Sequence, residues 1–235
     1  MPCFILSVDL STESGSIAIH RTPPEGAPEL ISDLAVEGRA NHVESFLATL
    51  DHILRKSKVH LGQIRCILTT SGPGSFTGLR VAYAAIKGMA FHLPISIETM
   101  GSPEVRAISW ARNTPCKGIR LEVLSQIKTG SFLKNSFTAQ DNGTVIENGH
   151  TETHMNVNFL RRQHGDSIFL LDTSLWSQFS ETLGAEDGFF HHPLRARYLG
   201  MTRLQASSRK CYCTKEEWFN LNPNYFGDNR FGFDQ

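Results

Sequence analysis

The apolar residues of this chain fall into continuous runs, alternating runs and helical stripes, in an order that repeats. "CFILSV" (Cys3 to Val8) is β-rich and uninterrupted, the pattern of a central strand buried on both faces. After the turn "DLSTESG", "SIAIHR" (Ser16 to Arg21) alternates as a half-buried strand does. The loop-forming "TPPEGAP" leads to "ELISDLAVEG", which supplies a third strand. From Asn41 to Lys56 the period changes: Val43, Phe46, Leu47, Leu50, Ile53 and Leu54 are spaced for a helix, with Asn41 placed to cap it. "IRCILTT" (Ile64 to Thr70) is again a continuous strand, a second helix runs from about Ser75 to Phe91, and "PISIET" (Pro94 to Thr99) is a fifth strand. The predicted order is β-β-β-α-β-α-β. Strands joined by short turns should form an antiparallel meander, and strands reached through helices should lie parallel to the sheet's centre.

A helix over Pro103 to Asn113 bridges to a fainter copy of the same order. "IRLEVLSQI" (Ile119 to Ile127), "SFLKNSFTA" (Ser131 to Ala139) and "GTVIENG" (Gly143 to Gly149) read as strands, and "NVNFLRRQ" (Asn156 to Gln163) as a short helix. "SIFLLDT" (Ser167 to Thr173) is a strong strand, followed by a helix that Ser174 opens. The pattern predicts an α/β protein of two related lobes, residues 1–102 and 103–235. The second lobe is smaller and less regular, with an aperiodic tail from about Asn222.

Composition narrows the function. Lys+Arg and Asp+Glu are equal at 23 each, so no global basic field holds nucleic acid by counterion release. The N-terminus lacks a basic start and Asp9 interrupts its apolar run, which argues against a signal peptide. No run is long enough for a membrane span, and the scattered cysteines, Cys3, Cys66, Cys116, Cys211 and Cys213, fit reduced thiols, so a cytoplasmic protein is expected. Cys211-Tyr212-Cys213 lacks the second half that a structural metal site needs.

Two constellations are candidates for chemistry. In "LTTSGPGSFTGLR" an apolar strand stops at Gly72-Pro73-Gly74 and a helix begins at Ser75. Glycines admit close backbone approach, and free N–H groups at a helix start can hold a phosphate. The alternative is a rigid strand-to-helix corner; no Gly-Lys-Ser/Thr follows, so this is not a Walker loop. Asp9 with Ser11, Thr12 and Ser14 closes the first strand and could hold Mg²⁺ or a phosphate, or simply cap its own turn. On the second helix Gly78, Ala82 and Ala85 form a stripe of small residues, opposite Leu79, Tyr83, Ile86 and Ala90, so this helix has two neighbours. His150 and His154 would need a helix to share a metal, and their surroundings are β-rich. No nucleophile elbow is present, and no convincing catalytic set.

"ILSVDLSTESGSIAI", "NHVESFLATLDHIL" and "SGPGSFTGLRVAYAAIKGMA" resemble the bacterial TsaB (YeaZ) family in order and spacing, over about the first hundred residues. The resemblance implies a two-lobed ribonuclease-H-like fold of the actin/hexokinase/heat-shock-ATPase superfamily. It also implies a non-catalytic role beside a paralogue, TsaD, and an ATPase, TsaE, which together place a threonylcarbamoyl group on tRNA. In that paralogue, histidines after the fifth strand hold the catalytic metal; here Thr99, Ser102 and Pro103 occupy that stretch, so no metal of its own is implied. The two helices of lobe one pair with their counterparts in the paralogue, which would put Phe46, Leu50, Ile53, Gly78, Ala82 and Ala85 in or near the interface. Free chains are expected to self-associate there.

Departures from the family pattern concern Tyr83, which follows Ala82 where a small residue is usual, and "QIKTGSFL", where Gln126 replaces a carboxylate. Only Gly130 and the charge at Lys128 are kept in that second stretch. A nucleotide contact, ATP or ADP within the complex, through Asp9, Ser11, Thr12, Gly72, Gly74 and Ser75 is therefore a secondary expectation. The rival readings are a phosphotransferase of the same superfamily, for which Asp9 is the one well-placed acid, and a metallopeptidase, for which ligands are lacking.

Overall fold

In the computed structural model, residues 3–12, 15–36, 42–114, 117–128, 131–154, 167–171, 173–181, 188–203, 205–206 and 208–223 are described. The first lobe has the predicted order: β1 (Cys3–Asp9), β2 (Ser16–Thr22), β3 (Glu29–Ala35), α1 (His42–Ser57), β4 (Ile64–Gly72), α2 (Phe76–His92) and β5 (Ser96–Gly101). β1, β2 and β3 form the antiparallel meander, while β4 and β5 run parallel to β1. The Asn41 cap lies outside the described residues.

β2 departs from its alternating pattern, because Ser16 to His20 are all buried. α1 covers one face of the sheet with Ile17 and Ile19 in a shared core. On the other face, Ser16 and His20 meet a later helix. The polar positions of the alternation are thus covered by partners that satisfy them.

α3 (Ser102–Asn113) connects the lobes and is buried from Ser102 to Ala111. Val105 and Ile108 pack towards the first sheet, and Ala107, Trp110 and Ala111 towards the second. The second sheet repeats the first. β6 (Arg120–Lys128), β7 (Ser131–Ala139) and β8 (Val145–His154) are its meander, and β9 (Ile168–Leu171) lies parallel to β6. α4 (Thr173–Phe179) follows, starting at Thr173, one residue before the predicted Ser174, and β10 (Phe189–His191) pairs parallel to β9. The strand orders β5-β4-β1-β2-β3 and β10-β9-β6-β7-β8 correspond one for one. The short helix expected at residues 156–163 lies outside the described residues.

The chain does not stay in the second lobe after residue 103. α5 (Ala196–Thr202) packs on β1, β2 and β3, and β11 (Lys210–Tyr212) adds to the first sheet, antiparallel to β5. α6 (Lys215–Asn220) buries Trp218 in the core that α1 and α2 share, and Leu221 follows it there. The sequence reading missed α5, β10, β11 and α6, because three- to seven-residue elements carry too few positions to show a period. Of the expected aperiodic tail, Asn222 and Pro223 are described and the rest is not. Among the described residues no helix is long and apolar enough to cross a membrane.

Candidate functional site

The glycine-rich turn is closed by its own chain. Ser75 caps α2 by accepting from the Gly78 N–H at 3.2 Å, and Gly72 has φ +98°, open to glycine at little cost. The Ser75 N–H donates to the Ser11 carbonyl at 2.6 Å. A Cβ on Gly74 would lie 2.5 Å from Ser11 Cβ, and one on Gly78 would lie 1.8 Å from the Leu10 carbonyl oxygen. Two of these glycines exist because the β1–β2 turn presses on the start of α2.

Asp9 belongs to the same corner. Its Oδ1 accepts from the Ser11 N–H at 3.0 Å, from Ser11 Oγ at 2.6 Å and from Thr70 Oγ1 at 3.3 Å. Burial pushes its carboxyl above the ordinary range, against the pull of the Ser11 and Thr70 hydrogen bonds and of Arg106. Of the residues singled out for a nucleotide, Asp9, Ser11, Gly74 and Ser75 converge, but on one another. Thr12 is half-buried beside them, and Gly72 lines a separate cleft.

The residues expected at a partner interface lie mostly inside the chain. Phe46, Ile53 and Ala82 are wholly buried, and Leu50 nearly so. Gly78 is pressed on Leu10, and Ala85 is half-buried against the core. Tyr83 is also buried, its hydroxyl donating to the Thr70 carbonyl at 3.2 Å. The reason is geometric: the stripe from Gly78 to Ala82 and the stripe from Leu79 to Ala90 both face this chain's own sheet and α1.

The open face of α2 lies about a third of a turn away from the Gly78 stripe. Thr77, Ala84, Gly88 and Phe91 are exposed, with Val81 half-buried among them. Their spacing of four, three, four and three residues is that of a helix-bundle seam. From α1, Leu47 is exposed to 55% beside a charged face carrying Glu44, Asp51 and Arg55. A Cβ on Gly88 would meet nothing within 4 Å, so no contact inside the chain requires a glycine in this helix interior.

A second feature is the cleft of about 200 Å³ between the lobes. The ends of β4 and β5, with β11, form one wall, and β7 and β8 the other. One residue of its wall, Asn135, is buried, and its Oδ1 has no hydrogen-bond partner among the described residues.

Buried charge also fastens the returning segment. Glu98 on β5 is bidentate to Arg203 and accepts from Arg209 at 3.2 Å. Burial works against its carboxylate, but these arginines outweigh it and hold its pKa below the ordinary range. His20 Nε2 donates to the Arg197 carbonyl at 3.2 Å, which leaves Nδ1 to accept from Ser7 Oγ at 3.3 Å. Burial lowers its pKa to about 4. His192, 2.7 Å from Ser109 Oγ and stacked on Tyr198, is lowered to about 4 by burial and by Arg106.

Among the described residues no three His, Cys, Asp or Glu side chains gather as a metal site. His150 and His154 lie on a strand, where i and i+4 are roughly 13 Å apart, too far to share an ion. The Cys211 and Cys213 sulfurs are 3.5 Å apart with no disulfide, and Cys66 is pushed up to about 12 by burial.

Comparison with known proteins places these features. Residues 36–107 match the family described as TsaD: tRNA N6-adenosine threonylcarbamoyltransferase. The chain is 23% identical over 161 residues to the tRNA threonylcarbamoyladenosine biosynthesis protein TsaB of Buchnera aphidicola from Schizaphis graminum, spanning 66% of this chain and 74% of that protein. It is 36% identical over 87 residues to the protein of the same name from Haemophilus influenzae, 37% of this chain and 34% of that one. The structure of YeaZ from Pseudomonas aeruginosa superposes with a TM-score of 0.67 at 18% identity, covering 95% of this chain and 99% of that chain.

Two sheets of matching strand order, joined by a buried helix, give the chain a two-lobed α/β fold, the fold of YeaZ. In sequence and in fold the chain is similar to the proteins named TsaB and YeaZ.

Proposed function

We propose that this chain takes part in tRNA threonylcarbamoyladenosine biosynthesis as a non-catalytic subunit. It binds a TsaD-type paralogue and stabilises that subunit's productive form, beside a TsaE-type ATPase. The names of its relatives support the pathway. One observation carries the role: the seam of Thr77, Val81, Ala84, Gly88 and Phe91 on α2 is made of small residues and is largely exposed, with the Lys215 ammonium 4.6 Å from the Phe91 ring centroid at its end. Small residues let a second helix approach closely, and Phe91 and Leu47 supply apolar anchors at its edges. The segment that matches the TsaD family contains α1 and α2, so the paralogue should present a helix pair of the same shape. Without the paralogue, a second copy of this chain fits the same face.

Gly88 gives a test with two signs. Glycine in a helix interior costs about 0.5–1 kcal/mol relative to alanine, so Gly88→Ala should stabilise the isolated chain by that amount in urea unfolding. The same variant should bind the paralogue no better, and Gly88→Leu should bind it at least ~10-fold more weakly. A Gly88→Leu chain that binds normally contradicts a seam at this position.

Reconstitution tests the role itself. The chain alone should transfer no threonylcarbamoyl group to tRNA, and its addition to the paralogue and the ATPase of the same organism should restore transfer. Transfer by the chain alone, or a reconstituted activity indifferent to it, overturns the reading.

A further inference from the structure

We propose that Cys211 and Cys213 form a redox modification site, a dithiol that a small disulfide of the glutathione type oxidises to an internal Cys211–Cys213 disulfide. Their sulfurs lie 3.5 Å apart, and both side chains are exposed. Cys211 is in β11, at the edge of the first sheet, and Cys213 follows that strand directly. Residues i and i+2 of a strand point to one face with their Cα atoms roughly 6.6 Å apart, at the upper end of what a disulfide spans. The sulfurs must close by roughly 1.5 Å, so the bond is within reach once the segment contracts slightly. A metal is the other ligand that two thiols take. Among the described residues no third His, Cys, Asp or Glu side chain joins this pair as a metal site. Glu98, opposite Cys211 in the ladder, is already held by Arg203 and Arg209. Thiol–disulfide exchange is the chemistry left to the pair.

The exchange balances without a further reactant. One thiolate attacks the small disulfide, forms a mixed disulfide and releases one small thiol. The second thiolate then attacks the chain's sulfur in that mixed disulfide and releases the other. The chain loses two hydrogens and two electrons, and the small disulfide gains them as two thiols. Partial burial and the contact with Cys213 push the Cys211 thiol up to about 11, so the exchange runs faster as pH rises. The segment that the ring closes also holds α6. The Tyr212 carbonyl, between the two cysteines, accepts from the Trp218 indole N–H at 3.0 Å, and the Cys213 N–H donates to Glu217 Oε2 at 2.6 Å. Drawing the cysteines together turns the peptide that carries these groups, so both bonds loosen. Trp218 then loses a tie to the core it shares with α1 and α2. Oxidation thus slackens α6. None of these groups belongs to the seam on α2, so the inference stands apart from the scaffold role.

The full chain carrying Cys3→Ser and Cys116→Ser tests it, because Cys66 is buried and its thiol is pushed up to about 12. Incubated with excess oxidised glutathione at about pH 8, this chain should lose the mass of two hydrogens. The bond should map to one peptide holding Cys211 and Cys213, and dithiothreitol should reverse it. Internal disulfide should exceed glutathione adduct at least ~10-fold. Backbone amides of residues 215–221 should exchange with deuterium at least ~3-fold faster in the oxidised chain. Adding Cys213→Ser should abolish both changes. Should the two background substitutions prevent folding, peptide mapping and hydrogen exchange on the parent chain give the same readouts. A chain that stays reduced, that keeps glutathione on either cysteine without closing the bond, or that closes it with exchange at residues 215–221 unchanged overturns the proposal.

Discussion

Gly78→Ala should destabilise the chain by about 3 kcal/mol or more, at the upper end of what overpacking costs. The added methyl carbon would sit 1.8 Å from the Leu10 carbonyl oxygen, far inside van der Waals contact. That carbonyl cannot simply move aside. The turn that carries it is held by the Ser75 N–H on the Ser11 carbonyl and by the hydrogen bonds that Asp9 Oδ1 accepts. For a chain of this length the loss corresponds to a fall in melting temperature of roughly 6–12 °C. Ser75→Ala, which removes only the cap, should cost about 1 kcal/mol. Calorimetry of both variants checks the ranking; a Gly78→Ala shift no larger than that of Ser75→Ala contradicts the corner as the reason for this glycine. Gly88→Ala on the same helix should go the other way.

The two buried histidines should cost the chain stability as pH falls below about 6.5. His20 and His192 have folded pKa values near 4, against 6.5 in an unfolded chain. The unfolded state therefore binds more protons than the folded state between those values, and stability falls as pH falls from about 6.5 to about 4. The loss reaches about 2 kcal/mol per histidine by pH 5, as an upper figure. Glu98 acts in the same direction only lower down: its depressed pKa gives stability that disappears as pH falls below the ordinary carboxylate value. Urea midpoints at pH 7 and pH 5 separate these groups. The midpoint should drop clearly in the parent, and His20→Gln and His192→Gln should each flatten the slope. Asp9, whose carboxyl burial raises, works in the opposite direction over this range, so the histidine variants decide: slopes unchanged in both His20→Gln and His192→Gln contradict the assignment of the two rings as buried and neutral.

The first lobe was readable because its strands and helices are long enough to display their periods. Cys3 to Val8 and Ile64 to Thr70 announce central strands by their β-rich apolar runs, and α1 and α2 span sixteen and seventeen residues. The corner was readable in kind: Ser75 caps the helix, as its position before Phe76 suggests. The face of α2 was not. A helix apolar over most of its circumference has no polar stripe to mark the outside, so the Gly78 and Ala82 stripe and the Ala84 and Gly88 stripe look alike in sequence. What separates them is the β1–β2 turn pressing on Gly78, a contact across sixty-eight residues that no local pattern carries. His20 was hidden for the same reason. Its partner carbonyl belongs to Arg197, on a seven-residue helix that returns from the other lobe.

The scaffold reading is tested most directly by mixing this chain with the TsaD-type paralogue of the same organism and measuring the mass of the product by size exclusion with light scattering. Ala84→Arg is the informative variant, since Ala84 is exposed at the centre of the seam; arginine at the wholly buried Ala82 would disrupt folding instead. The parent should form a one-to-one complex. Ala84→Arg should melt at the parent's temperature and bind at least ~30-fold more weakly, the loss of about 2 kcal/mol expected when a central contact is replaced by a charge. A parent chain that forms no complex, or an Ala84→Arg chain that binds as tightly as the parent, contradicts the account.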